Sequence, residues 1–170
     1  MKNLDRALVA SSIAYDPETG VFTKIGIYPG DLRKTRPDVV GCEVGSVNTL
    51  GYLMVSIGPK RYLGHRVAFL LMTGAVPRYV DHIDGNPSNN AWANLRACTQ
   101  SQNLANRGKT KASTSGFKGV TWCAYTNKWR AKITVRGKDL HLGRFKEASQ
   151  AGEAYASACK MYFGEFGRSE

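Results

Sequence analysis

Tyr79-Val80-Asp81-His82-Ile83-Asp84-Gly85-Asn86-Pro87-Ser88-Asn89-Asn90, followed by Asn94 and then by Thr99-Gln100-Ser101-Gln102-Asn103, is the stretch on which the reading of this chain turns. Residues 79–82 are strand-like and run into a polar loop, 84–90, rich in Asn, Gly and Pro. Thr99-Gln100-Ser101-Gln102 has the S/T-x-x-Q form of a capping box. It predicts a helix that starts near Gln100, carries Asn103 and runs to about Arg107.

This segment gathers the residue types that phosphodiester hydrolysis needs: a base for water, a holder for a cation, and groups that fix both. Asp81 offers a hard oxygen ligand suited to Mg²⁺ or Mn²⁺. His82 has an ordinary pKa near ~6.5 and serves as a neutral base at physiological pH. Asn94 and Asn103 are neutral oxygen donors that orient an imidazole or complete a metal shell. Asp84 reads equally as a turn former or as a support for the metal ligands, and Asn86, Asn89 and Asn90 as loop and cap residues.

Toward the N-terminus, residues 4–12 predict a short helix, 15–20 a turn, and 21–23 a strand. Residues 26–41 read as a loop, and 43–47 with 52–57 as a hairpin. Gly58-Pro59 turns the chain into Arg61-Tyr62-Leu63, and 65–72 is a short buried helix ended by Gly74. His65 on that helix is open to two readings, a packed histidine or a residue facing DNA beside the site.

Toward the C-terminus, residues 108–116 lack any large apolar side chain and read as a linker spanning at most ~30 Å. Residues 117–122, 128–136 and 139–144 predict three strands. The second places Trp129, Ala131, Ile133 and Val135 on one face, and Arg130, Lys132, Thr134 and Arg136 on the other. A helix over 147–163 supplies an apolar stripe, Ala148, Ala151, Tyr155, Ala158 and Tyr162, to cover the first face. The other face stays open and cationic.

Charge fits that geometry. The 170 residues carry a net charge of +11, a field that attracts polyanions. Residues 1–106 hold 11 Lys/Arg against 8 Asp/Glu, whereas 107–170 hold 13 against 5. The four cysteines form no CxxC pair, which argues against a cysteine zinc cluster and for free thiols in a reducing cytosol. No signal peptide or membrane span is expected.

His65-Arg66-Val67-Ala68, Val80-Asp81-His82-Ile83-Asp84-Gly85-Asn86, Asn90, Asn94-Leu95-Arg96 and Gln102-Asn103 together resemble the phage-type HNH endonucleases. Tyr15-Asp16-Pro17-Glu18-Thr19-Gly20-Val21-Phe22 and Gly51-Tyr52 resemble segments of such proteins too. The resemblance implies an α+β chain with a ββα-metal (His-Me finger) fold: a strand ending at Asp81-His82, a second near 95–98, then the helix with Asn103. It implies that His82 is the general base, and that Asp81 and Asn103 hold one divalent ion, Mg²⁺ with Mn²⁺ as the substitute. Asn94 would fix the His82 ring or pin the loop. Many relatives have histidine where this chain has Asn103, which favours a hard, oxygen-rich site over zinc.

Gly119-Val120, Lys128-Trp129, Ala131, Ile133, Leu142-Gly143-Arg144-Phe145 and Glu147-Ala148 with Ala154-Tyr155 resemble the APETALA-type DNA-binding domain of plant ethylene-response factors (ERF). That implies a three-stranded antiparallel sheet with one packed helix, laid in a DNA major groove. Phosphate contacts are expected from Lys118, Lys128, Lys132 and Lys138, and base reading from Arg130, Arg136 and Arg144, with His141 on the same DNA-facing side. Thr121, Trp122 and Cys123 stand where the plant domains carry base-reading arginines, so no target sequence carries over.

The organisation expected is an HNH domain over 1–107 with its catalytic core at about 62–107, the linker, and a DNA-binding domain over 117–170. The function expected is a metal-dependent DNA endonuclease of homing type from a phage or mobile element. It would act on double-stranded DNA as a monomer or homodimer, cytoplasmic and associated with the nucleoid. A DNA-binding regulator with an inactive HNH scaffold is the second reading, and an RNA-directed protein the third.

Overall fold

The computed structural model describes residues 5–27, 40–108 and 113–169. Much of the loop expected at 26–41, the centre of the linker and Leu4 of the first helix lie outside the described residues. The chain divides into two compact units, Met1–Cys98 and Thr99–Glu170.

In the first unit, Asp5 caps helix α1 (Arg6–Ala10), its carboxylate accepting from the backbone N–H of Ala7 at 2.7 Å. Strands β1 (Ile13–Tyr15) and β2 (Phe22–Lys24) form a hairpin. β1 is not among the expected strands, because three residues are too few to show periodicity. The hairpin's turn is held by Asp16, which accepts from Glu18 N and Thr19 Oγ1. Gly20 follows at φ +76°, and a Cβ there would lie 2.4 Å from the backbone of Asn90 and Ala91. The turn can therefore press against the polar loop only with glycine at this position.

Strands β3 (Ser46–Val47), β4 (Leu53–Ile57) and β5 (Lys60–Leu63) make an antiparallel sheet. β3 is shorter than the strand expected over 43–47, and Glu43 makes only an isolated bridge to Thr23. Helix α2 (Gly64–Thr73) follows and ends at Gly74, which adopts the left-handed conformation and donates its N–H to Leu70 O. Strand β6 (Tyr79–His82) and, after a 3-10 turn at Trp92–Asn94, strand β7 (Leu95–Cys98) pair antiparallel. Val9, Ile13, Phe22, Val55, Val67, Phe69, Val80 and Leu95 share one core, so every element of this unit except β3 anchors into it.

The second unit opens with α3 (Gln100–Asn106), whose capping box is complete: the Thr99 hydroxyl accepts from Gln102 N, and the Gln102 side chain accepts from Thr99 N. Strands β8 (Val120–Cys123), β9 (Lys128–Val135) and β10 (Lys138–Phe145) form an antiparallel sheet in the order β10-β9-β8. β8 starts later than expected because Ser115 folds residues 115–120 into a turn, accepting from Phe117 N and donating to Val120 O. Helix α4 (Ala148–Phe163) covers the face bearing Ala131 and Ile133. Its buried stripe is Ala151, Gly152, Tyr155, Ala158 and Cys159, and it continues to Phe163. Tyr162, expected in that stripe, is 47% exposed, because α4 brings Cys159 and Phe163 rather than Tyr162 round to the sheet.

The division between units falls earlier than the 108–116 linker. α3 packs on the C-terminal 3-10 turn Gly164–Phe166, and Ala105 O accepts from Arg168 N at 3.2 Å. Residues 99–106 carry no charge, so the unit that starts at Thr99 holds the same 13 Lys/Arg against 5 Asp/Glu as residues 107–170.

Candidate active site

β6 and β7 pair in a register that sets Asp81 opposite Arg96 and His82 opposite Leu95. Strand alternation sends adjacent side chains to different surroundings, and the two key residues have separate partners. The Asp81 carboxylate is buried, and its Oδ2 accepts from Arg96 Nε at 2.9 Å and lies 2.8 Å from Nη2. Arg96 belongs to the Asn94-Leu95-Arg96 motif, to which the sequence assigns no separate role. Its signal was the hairpin register, which places residue 96 across from residue 81.

His82 is also buried. Its Nε2 lies 3.4 Å from Asn90 Oδ1, and its ring meets His65 edge-on at 5.1 Å and Tyr52 at 6.1 Å between centroids. Asn90 Nδ2 donates to Ser88 O, which turns the amide oxygen toward the imidazole. On that assignment Nε2 carries the proton and the basic lone pair is on Nδ1. Burial pushes the His82 pKa down; the Asn90 hydrogen bond and the carboxylates of Asp84 and Asp81 oppose it without reversing it. The imidazole is thus neutral at physiological pH. Asn90 is itself 2% exposed and accepts at its backbone carbonyl from Tyr15 OH at 2.7 Å, so the N-terminal hairpin braces the residue that orients His82.

Asn94 resolves to one of its two expected roles. Its Nδ2 donates to Asp84 Oδ1 and Asn89 O, both at 2.9 Å, and its Oδ1 accepts from Asp84 N at 3.0 Å. It pins the loop; Asn90, expected to serve as a loop and cap residue, meets the His82 ring. Asp84 serves as the turn former, accepting also from Asn86 N and Asn89 Nδ2. Burial raises the Asp84 carboxyl, but these hydrogen bonds outweigh it and the net shift is downward.

His65 is the packed histidine and not a DNA-facing one: it is 6% exposed and sits between Tyr52 and His82. Burial first, then the neighbouring His82 and Arg66, push its pKa down to about 3. Above pH ~6.5 the residue is neutral folded or unfolded and adds nothing to pH dependence. Below that, the unfolded chain takes a proton that the folded chain refuses, so stability falls as pH drops toward the folded value. At pH 4.5 the deficit is on the order of 2–3 kcal/mol. Urea melts at pH 7 and pH 4.5 are expected to show a larger acid loss for the natural chain than for His65→Gln, by about that amount. Equal losses would show that His65 is not held neutral.

Among the described residues no group of three or more His, Cys, Asp or Glu is placed to hold a metal ion. The donors on offer are the Asp81 carboxylate and amide oxygens, which fit a hard divalent ion better than zinc. Asn103 lies on α3 in the second unit and is half-buried.

The open face of the C-terminal sheet carries Lys128, Arg130, Lys132, His141 and Arg144, all exposed. Arg130 is directly opposite Arg144, and Lys132 opposite His141. Lys132 Nζ also pairs with Asp139 at 2.6 Å. Arg136, at φ +50°, and Gly137, at φ +78°, form the β9–β10 turn, with Lys138 next to them. Lys118 differs from the expectation of a phosphate contact. Its Nζ donates to Ala105 O at 2.5 Å and Arg168 O at 3.1 Å, so it closes the second unit internally.

Residues 62–105 match the family model described as HNH endonuclease. Over 96% of the chain, and 84% of the relative's length, the sequence is 34% identical to an uncharacterized HNH endonuclease of Acanthamoeba polyphaga mimivirus. The chain belongs to the HNH endonuclease family. As a family member it is a nuclease. A second relative, Protein 3.8 of Escherichia phage T7, is 43% identical over 67 residues, 38% of this chain and 55% of that protein. The match therefore spans about half of that relative's length. No solved structure matches the chain. The HNH segment takes in β6, β7 and α3, and His82, Asn94 and Asn103 all fall within it. No helix among the described residues is long and apolar enough to cross a membrane.

Proposed function

We propose that this HNH endonuclease is a divalent-metal-dependent nuclease of double-stranded DNA, with the β6–β7 hairpin as the strand part of a ββα-metal motif. The observation that carries the reading is the buried His82 imidazole, set against Asn90 Oδ1 and next in sequence to the buried Asp81 carboxylate. His82 takes the proton of a water as its oxygen attacks phosphorus; the bond from phosphorus to the leaving sugar oxygen breaks, that oxygen takes a proton from solvent, and the imidazolium returns its own proton to solvent. Asn94 keeps the loop after β6 in the shape that holds Asn90 against the ring. Asp81 and Asn103 are the candidate holders of one Mg²⁺ or Mn²⁺, which when bound supplies Lewis-acid stabilisation of developing charge. Relatives encoded by a phage and a giant virus support a viral role, and homing of a mobile element is the form of it we propose.

The open sheet face is the proposed DNA-binding surface. Like charges directly opposite one another, as in Arg130 and Arg144, destabilise an isolated sheet; a phosphate backbone between them removes that cost. Incubation with supercoiled plasmid, a duplex fragment and single-stranded RNA, each with Mg²⁺ or Mn²⁺, tests the activity. Nicking or linearisation of the DNA alone is expected, and preparations that cut no DNA with either ion would sink the proposal. The surface has its own test. Neutralising Lys128, Lys132 and Lys138 together by Gln is expected to reduce the salt slope of duplex binding by up to about 2.7, at ~0.9 per phosphate contact. An unchanged slope would place the DNA elsewhere. Substitution is preferable to truncation after Arg107, because Ala105 on α3 accepts bonds from Lys118 and Arg168.

A further inference from the structure

The Asp81–Arg96 pair is unusual for the place it occupies. The carboxylate oxygen of a candidate metal ligand is already held by two guanidinium nitrogens at 2.9 and 2.8 Å, within a pair that is almost wholly buried. A buried carboxylate beside a guanidinium is electrostatically satisfied, and a divalent cation arriving there meets a resident positive charge. Only a second anion can change that balance. A phosphodiester is such an anion, and the planar guanidinium matches its oxygens as well as it matches a carboxylate.

We propose that Arg96 is a positioning residue that couples metal binding to DNA binding. Resting on the metal-dependent reading above, the inference is that Arg96 neutralises Asp81 in the free enzyme and so keeps divalent-ion affinity low. When DNA binds, a phosphate takes over the guanidinium and Asp81 becomes available to the ion. Coupling of this kind is reciprocal: DNA tightens the ion, and the ion tightens DNA by the same factor. The consequence for the enzyme is that its metal centre assembles on substrate rather than in advance of it.

The experiment measures Mn²⁺ affinity of the full chain by titration calorimetry, in a His82→Ala background that prevents cutting, with and without a short duplex. The same titrations with Asp81→Asn added subtract Mn²⁺ held by the DNA itself. Duplex is expected to tighten Mn²⁺ binding about tenfold, within the ordinary range of coupling. Arg96→Gln is expected to tighten Mn²⁺ binding about tenfold without DNA and to abolish most of the coupling. Should Arg96→Gln fail to fold by circular dichroism, Arg96→Lys decides. It keeps the charge but loses the fork, so Mn²⁺ affinity without DNA should stay within about threefold while the coupling falls. Saturable, Asp81-dependent Mn²⁺ binding that is indifferent to duplex, or to both Arg96 variants, overturns the role of Arg96 and leaves the metal reading standing. Mn²⁺ binding that Asp81→Asn does not alter, with or without DNA, overturns both.

Discussion

Replacing His82 by alanine is expected to slow DNA nicking by about 10²- to 10⁴-fold, the range supplied by a positioned general base. The imidazole lies 3.4 Å from Asn90 Oδ1 and against the rings of His65 and Tyr52, so circular dichroism of the variant checks that its fold is kept. Duplex affinity should be close to that of the natural chain, because the cationic sheet face is untouched. Rates on supercoiled plasmid with Mg²⁺, together with the binding isotherm, check both halves. Cutting that survives His82→Ala at the natural rate would mean that the base is another group. Loss of both cutting and binding would mean that His82 holds the fold and not the reaction.

The second large effect is at Asp81. Asp81→Ala is expected to abolish cutting at any practical Mg²⁺ or Mn²⁺ concentration, and to destabilise the chain. The stability loss follows from the buried partner: Arg96 would keep its charge with the carboxylate gone, a situation that costs about 3–5 kcal/mol. Asp81→Asn separates the two consequences. The amide still accepts a hydrogen bond from the guanidinium but carries no charge, so it should recover part of the stability and none of the cutting. Denaturant melts beside nicking assays read the two quantities independently. Full activity in either variant would place the metal on other residues.

These two predictions draw on unequal sources. The proposal that Asp81 and His82 act in the reaction comes from their residue types and from their spacing to Asn94 and Asn103. The elements around them are legible in the sequence too. The Thr99–Gln102 capping box, the cap at Gly74 and the alternation through β9 are interactions between residues a few positions apart. Where the pattern was weaker, expectation and structure differ. The strand expected from residue 117 gives way to a turn organised by Ser115, and the stripe expected to include Tyr162 uses Cys159 and Phe163. Lys118 looked like its neighbours by charge alone, yet its ammonium is spent on two backbone carbonyls, 13 and 50 residues away in the chain.

By itself, then, the sequence determined the residue types at the site, the local elements that carry them, and the concentration of positive charge after residue 106. Local hydrogen bonding and side-chain periodicity act over a few residues, and composition needs no geometry at all. The tertiary structure alone decided which groups meet. It set Arg96 against Asp81 across a hairpin, brought His65 to the edge of His82, and turned Asn90 toward that ring while Tyr15 holds its carbonyl. It also decided protonation, because a histidine is pushed down to about 3 by being buried, and burial is a property of the packed chain. Asp81 and His82 are adjacent in the sequence; what each can do depends on partners that only packing supplies.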